Sequence, residues 1–269
     1  MENWGGMENL TPGTLLLDRF RIEERLGSGL IGVVYRAFDT QLQRTVALKI
    51  LHPELFADSL TRARFIFGAR VSRHLRPEQV VQLLDAVSTD DSALLVYEFM
   101  EGGSLADRIR DGNPLKVGDA LRYAEHVAAI LEEAHEAGVL HRALNPSAIF
   151  FDENGTLKIG EFGAADVPQS AFAPVFMRPL QTKNQRHALS YLAPEQIIRK
   201  KEDEPCDVYA LAAILYHLLT GRPCLDFTSA ETPDDLQSIV LTQMPLAPSQ
   251  FNPRVPPWLD TVVLKALQK

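Results

Sequence analysis

Three glycines at G-x-G-x-x-G spacing, Gly27, Gly29 and Gly32, stand in "LGSGLIGVVY", and Lys49 follows in "VALKI". Glycines so spaced let backbone N–H groups close around phosphate oxygens, and a lysine adds a point charge to them. Several kinds of loop have this pattern. A dinucleotide-binding turn needs a helix next, but "VVYRAF" is β-branched and strand-like. A Walker loop needs Lys and Ser or Thr after the last glycine, where Val33 and Val34 stand. A hairpin between two strands remains, either closing over phosphates or serving only as a tight turn. A second stretch, "VLHRALNPSAIFFDENGTLKIGEFGAAD" from Val139 to Asp166, is laid out like an active site. It has the pair His141–Arg142, a turn anchored by Pro146, a short hairpin and the step Phe162–Gly163. Yet Ala143, Asn145 and Ala148, which lie within it, carry no base and no charge.

Other chemistries find little support. The two cysteines, Cys206 and Cys224, have no metal-ligand spacing, and the seven histidines form no HExxH pattern. No metal site of Cys and His is expected, and reduced thiols fit a cytoplasmic protein. The net charge of −8 argues against non-specific nucleic-acid binding. The run Arg199-Lys200-Lys201 is followed at once by Glu202, Asp203 and Glu204, so it reads as a solvated helix end. "MENWGGMENL" has no basic start and no apolar core, unlike a signal peptide. The longest apolar stretch, Ala210 to Leu219, is too short to span a bilayer, so no membrane insertion is expected.

The elements that must position these residues change character part-way along the 269 residues. From Phe20 to Phe99, "RFRIEERLG", "GVVYRAFD", "RTVALKIL", "VVQLLDAVS" and "SALLVYEF" read as strands, interrupted by a helix from about Asp58 to Leu75. After Gly103 the period lengthens. Leu121, Ala124, Val127, Leu131 and Ala134 recur as the stripe of a half-buried helix, as do Val208, Leu211, Ala212, Leu215, Leu218 and Leu219. Gly221 then suits a left-handed C-terminal cap. The expected fold is α+β, with an extension over 1–19, a small β-rich lobe over 20–99 and a larger helical lobe over 100–269. "MEGGSL", Met100 to Leu105, is the expected hinge.

Taken in order, these motifs resemble the protein kinase family, most closely its bacterial serine/threonine branch. Lys49 matches the lysine that binds the nucleotide's α- and β-phosphates. "VYEFMEGGSL" resembles the hinge, with Tyr97 as gatekeeper and Glu98 and Met100 offering backbone groups to adenine. "HRALNP" and "GEFG" resemble the catalytic loop and the metal-binding DFG step. "LAPEQ" matches the APE motif at Glu195, and Asp207 opens the buried helix that anchors the large lobe. The family's domain continues through a further helix after "VLKALQK", whose arginine pairs with the APE glutamate. The resemblance therefore implies a chain that stops short and leaves Glu195 without that partner.

The resemblance also implies what is missing. The catalytic base position is Ala143, the phosphate lysine position is Asn145, and the metal asparagine position is Ala148. The DFG aspartate position is Glu161, one methylene longer, where octahedral magnesium tolerates displacement poorly. A threonine that bonds the catalytic aspartate aligns with Ala188. The helix glutamate that pairs with the lysine aligns with Gly68, and Phe65 to Pro77 contains no carboxylate at all. His141, Arg142, Pro146, Phe162 and Asp207 keep structural roles.

The expectation is a pseudokinase without phosphoryl transfer that scaffolds or allosterically regulates a protein partner, an active kinase among the candidates. The alternative is a divergent kinase or other ATP-using enzyme. No cofactor is required. Weak ATP or ADP binding would use Leu26, Gly27, Gly29, Gly32, Val34, Ala47, Lys49, Glu98 and Met100, with magnesium disfavoured. Against it, Phe150 replaces the usual leucine at the floor of the adenine slot and could fill the space. Lys49 and Glu161 are expected to pair across the cleft. The apolar "AFAPVFMRPL", Ala171 to Leu180, could dock a partner, and Thr182 and Ser190 could accept phosphate.

Overall fold

A computed structural model describes residues 9–29, 31–109, 111–162, 189–198 and 203–269. The β-branched and aromatic runs of the first half form β1 (Leu15–Leu16), β2 (Phe20–Ser28), β3 (Gly32–Asp39), β4 (Arg44–Leu51), β5 (Leu83–Ser88) and β6 (Ala93–Glu98). They make one antiparallel sheet in the order β1-β2-β3-β4-β6-β5. Alternation along β3 and β4 gives the sheet two different faces. Val33, Tyr35, Ala37, Val46, Leu48 and Ile50 pack on one side with Phe20 and Ile22. On the other, Leu95, Tyr97 and the half-buried Ala47 pack with Phe65 and Ala69.

Phe65 and Ala69 come from α2 (Ser59–Arg70), which follows the single turn α1 (Pro53–Phe56). Asp58 caps α2 by accepting the Thr61 N–H at 2.9 Å. The helix continues as a 3₁₀ turn over Val71–His74. Part of the chain ahead of Phe20 also joins this lobe. β1 pairs with β2, and Leu10 donates its N–H to the Tyr35 hydroxyl at 3.2 Å.

The second lobe is helical: α3 (Leu105–Arg108), α4 (Val117–Glu136), α5 (Pro194–Ile197), α6 (Pro205–Thr220), α7 (Pro233–Thr242) and α8 (Pro257–Ala266). A small ladder of β7 (Ile149–Phe151) and β8 (Leu157–Ile159) sits among them. The protein therefore has a bilobal α+β fold. Among the described residues no helix is long and apolar enough to cross a membrane.

Val127, Leu131 and Ala134 of α4 are buried, and Leu121 and Ala124 pack at the edge of the same core. The expected one-sided stripe on α6 is corrected by the structure. Almost the whole helix is buried, and Val208, counted in the stripe, is 49% exposed. A helix surrounded by its neighbours needs no polar face, and periodicity cannot mark one face when nearly every face is covered.

The lobes meet through backbone bonds. Val81 donates to the Ile159 carbonyl at 3.0 Å, and Ile159 donates to Gln79 at 2.9 Å. β8 thus continues the hydrogen bonding of the segment leading into β5, which fixes the cleft between the lobes.

Gly221 ends α6 at φ 72°, and a Cβ there would lie 2.1 Å from the Gly112 carbonyl oxygen. Both the conformation and the contact demand glycine. Gly221→Ala is expected to lower stability by more than about 1 kcal/mol, read as a shift of the urea midpoint at constant m-value.

Candidate active site

Lys49 lies mid-strand on β4, paired across to Val34 and Leu95, and only 7% of its surface is exposed. Its ammonium reaches Glu161 Oε1 at 2.5 Å. The expected helix position, Gly68, is on the buried face of α2 and offers no side chain. The lysine charge is therefore met from the opposite lobe. Burial would raise the Glu161 carboxyl, but the charge and hydrogen bond of Lys49, with a smaller effect of His141, hold it below its ordinary value. Tyr97 is pushed up by burial and by the Glu161 charge, so it stays a neutral phenol.

Glu161 has a left-handed backbone, φ 64°, and so does Arg142, φ 62°. Such conformations cost about 1–3 kcal/mol each outside glycine and persist only where neighbours fix them. The neighbours are identifiable. Asp207, fully buried at the start of α6, accepts the His141 N–H at 2.8 Å, the Arg142 N–H at 2.7 Å and His135 Nε2–H at 2.9 Å. Gln196 Nε2 donates to the Arg142 carbonyl at 2.6 Å. Ahead of Glu161, Gly160 donates to the Ala148 carbonyl at 2.8 Å and accepts from His141 Nε2 at 2.9 Å. Behind it, Phe162 is buried with its ring 4.7 Å from that of His141.

The bonds of His141 also fix its tautomer. A carbonyl can only accept, so Nε2 carries the proton, and Nδ1 accepts the Ala143 N–H at 3.3 Å. Burial favours the same neutral form by lowering the pKa. His141 is a brace between the two loops and has no lone pair left for proton transfer.

The loop between them carries no base. Ala143 is half-buried with only a methyl group to offer. Asn145 bonds locally: Nδ2 donates to the Ala143 carbonyl at 2.9 Å, and Oδ1 accepts the Ser147 N–H at 2.8 Å, capping the 3₁₀ turn Pro146–Ala148. Ala148 is fully buried. Among the described residues Glu161 is thus the carboxylate at the cleft end of these loops, and Lys49 occupies it. Among the described residues no three His, Cys, Asp or Glu side chains gather as a metal site. The residues present do not fit magnesium, whose octahedral shell normally takes one or two carboxylates free to bind.

The three glycines of the hairpin have different roles. A Cβ on Gly32 would lie 2.1 Å from the Ile50 carbonyl oxygen, so this glycine permits β3 to approach β4. Gly27 has open space around it, and a Cβ on Gly29 would meet only the Gly32 oxygen at 3.9 Å. His52 Nε2 donates to the Gly29 carbonyl at 3.0 Å and tethers the hairpin tip to the strand end.

Below the sheet, Val34 and Ala47 are half-buried and Leu26 is 45% exposed. Phe150 packs against the cluster that includes Ala47, Leu95, Tyr97 and Met100, with its ring against Gly160. At the hinge, Glu98 uses its N–H on the Gln82 carbonyl at 3.0 Å, and the Met100 carbonyl accepts Gly103 N–H at 3.2 Å. The Glu98 side chain accepts from Gln82 N–H at 2.9 Å and Lys158 Nζ at 2.8 Å. The Lys158 pair, a second ion pair joining the lobes, was not read from the sequence; its partners lie 60 residues apart. Ser190 is fully buried, which corrects its reading as a phosphate acceptor. Glu195 is half-buried, and no ion pair to it is found among the described residues. Ala188, Thr182 and Ala171 to Leu180 lie outside the described residues.

A sequence profile of the protein kinase domain matches residues 20–265. The chain belongs to the protein kinase family. Similar relatives include the probable serine/threonine-protein kinase SCO3848 of Streptomyces coelicolor, 31% identical over 255 residues, which cover 93% of this chain and 37% of the relative. The serine/threonine-protein kinase PrkC of Bacillus subtilis is 31% identical over 260 residues, covering 96% and 38%. The chain thus spans well under half the length of these two relatives. The kinase domain of Mycobacterium tuberculosis PknI superposes with a TM-score of 0.72 at 26% identity, over 97% of this chain and 91% of that one. Kinases of this family use ATP and magnesium.

Removing either partner of Lys49–Glu161 leaves a charge in a mostly buried place. Lys49→Met or Glu161→Gln is expected to cost about 2 kcal/mol, less than a fully buried pair because Glu161 keeps 29% exposure. The double variant should recover part of that loss in a denaturation cycle; strictly additive losses would contradict the coupling.

Stability should also depend on pH in two steps. The folded pKa of His141 lies below its ordinary 6.5, so its contribution is whole above 6.5 and drains as pH falls. The Glu161 contribution is whole above 4.5 and is lost as pH falls through its depressed folded value. Thermal midpoints from pH 8 to about pH 3 should fall in both ranges. Glu161→Gln should flatten only the lower one.

Proposed function

We propose that this kinase-family domain transfers no phosphate and acts as a protein-binding module, a scaffold or allosteric regulator whose partner is a protein. Ala143 carries this reading. The catalytic-loop backbone is held by Asp207 and Gln196, yet the position of the proton-accepting aspartate has a methyl group. A positioned base is worth about 10²–10⁴-fold in rate. The bonding of Asn145, the burial of Ala148 and the Lys49–Glu161 pair support the same conclusion, since each removes a separate requirement of phosphoryl transfer.

A second reading is a divergent ATP-using enzyme with residual nucleotide binding. Lys49 and the open space at Gly27 and Gly29 favour it. To bind phosphates, Lys49 must give up Glu161, and without a metal the returned carboxylate repels them. ATP or ADP binding is therefore expected to be weak and no stronger with magnesium.

The experiment is a thermal-shift titration with ATP, in magnesium and in EDTA, followed by radiolabel transfer to a general protein substrate. The expected result is a small or absent shift, equal in both, and no label transferred. Turnover abolished by Lys49→Met would overturn the protein-binding reading. Absence of any shift would remove the enzymatic one.

A further inference from the structure

The outer face of α2 contrasts with the rest of the protein. From Ser59 to Pro77 there are five arginines, Arg62, Arg64, Arg70, Arg73 and Arg76, and no carboxylate, in a chain of net charge −8. Thr61, Phe65, Gly68 and Ala69 face inward. Leu60, Arg64 and Phe67, at i, i+4 and i+7, form one outward stripe, with Arg70 at its edge. Phe67 is 63% exposed, the highest value among the exposed large apolar residues, and Leu60 is 51% exposed. The Arg70 guanidinium lies 5.3 Å from the centroid of the Phe67 ring. Arg73, in the following 3₁₀ turn, is exposed. Arg76 is neutralised by Glu133 at 3.1 Å, and Arg62 is drawn inward to the Phe56 carbonyl. Neither Arg70 nor Arg73 is ion-paired among the described residues. In the sequence these arginines are interleaved with apolar residues, and the helix and the turn after it bring Arg70 and Arg73 to one end of the exposed surface.

We infer that this face binds a short acidic protein segment carrying one or two apolar side chains. The apolar residues would cover Leu60 and Phe67, and the carboxylates would meet Arg70 and Arg73. Charge complementarity selects the sign of the partner, and the molecule's own charge selects its size. The 12-residue helix is about 18 Å long and the four-residue 3₁₀ turn carrying Arg73 adds roughly 8 Å, which suits a few turns of helix or six to eight extended residues at roughly 3.3 Å each. A broad polyanion, such as a lipid surface or a nucleic acid, would bring the acidic remainder of the protein within a Debye length of about 8 Å and be repelled. Planar guanidinium groups also suit bidentate carboxylate contacts.

This inference extends the protein-binding reading but is tested independently of it, since peptide affinity says nothing about phosphoryl transfer. The probe is a fluorescein-labelled octapeptide of Asp and Glu with one Phe and one Leu, titrated with the whole chain by fluorescence anisotropy at low salt. Micromolar binding is expected, weakening as salt is added. Arg70→Glu with Arg73→Glu should weaken it at least about tenfold, and Phe67→Ala should also weaken it. These side chains are exposed, so thermal midpoints should stay unchanged and separate lost binding from lost folding. The same peptide with Lys for each acid should not bind. Three results would overturn the inference: no saturable binding up to about 1 mM, affinity unaffected by the double variant, or tighter binding to phosphatidylglycerol vesicles or oligothymidylate than to the peptide.

Discussion

The buried carboxylate of Asp207 organises the structure. It accepts two consecutive backbone N–H groups, from His141 and Arg142, and a third donor from His135. Without it, three donors, one buried and two partly buried, would lose their acceptor, and a fully buried one costs about 1–3 kcal/mol. Two consecutive N–H groups can converge on one carboxylate only if the backbone turns sharply, and Arg142 accordingly has φ 62°. From that turn His141 reaches Gly160 and fixes the carbonyl just ahead of Glu161. One carboxylate in the large lobe thus determines where the partner of Lys49 stands. This explains how a catalytic loop can keep its shape when the side chains that would use the shape are absent. The shape depends on backbone groups, on Asp207 and on the local turn bonds of Asn145, none of which needs a base, a lysine or a metal ligand at these positions.

The Lys49–Glu161 pair has a different physical basis. A lysine 93% buried needs a counter-charge to offset the loss of water around its ammonium. With Gly68 on α2, that charge must come from elsewhere, and the glutamate at the far side of the cleft supplies it. The extra methylene that suits Glu161 poorly to magnesium gives it reach toward Lys49. Together with Glu98–Lys158 it joins the lobes by ion pairs inside the cleft and at the hinge, and Arg76–Glu133 adds a more exposed one. A cleft so closed is neutral by itself, whereas a cleft prepared for a metal–nucleotide complex keeps its charges available.

Much of this was legible in the sequence, for physical reasons. Runs rich in Val, Ile, Leu, Tyr and Phe between turn formers marked β3 and β4, the stripe of Val127, Leu131 and Ala134 marked α4, and Gly221 marked the end of α6. Lys49, Glu161 and the residues around His141 could be placed because their motifs follow in order. Three features were hidden. Val208 fits the apolar period of α6 but is exposed, since composition cannot say which side of a nearly buried helix lacks a neighbour. Glu98 and Lys158 look like ordinary surface charges until the fold juxtaposes them. Asn145 was read only as a lost lysine, though an Asn before Pro is itself a turn signal whose side chain bonds the backbone two residues on. The sequence held that information.

The absence of carboxylates from α2 links the interior of the protein to its surface. On the inward face, it leaves Gly68 opposite Lys49 and sends the lysine to Glu161. On the outward face, it leaves Arg70 and Arg73 unneutralised around Phe67 in an otherwise acidic protein. In an enzyme of this family the helix glutamate ties α2 to the lysine, so the position of the helix is coupled to nucleotide chemistry. Here that tie is missing, and among the described residues α2 is held by Phe65, Ile66 and Ala69, by the Asp58 cap and by the bond of Arg62 to Phe56. Its outer surface can then carry charge and apolar area without disturbing the cleft. The same composition that weakens the case for catalysis strengthens the case for binding at this surface.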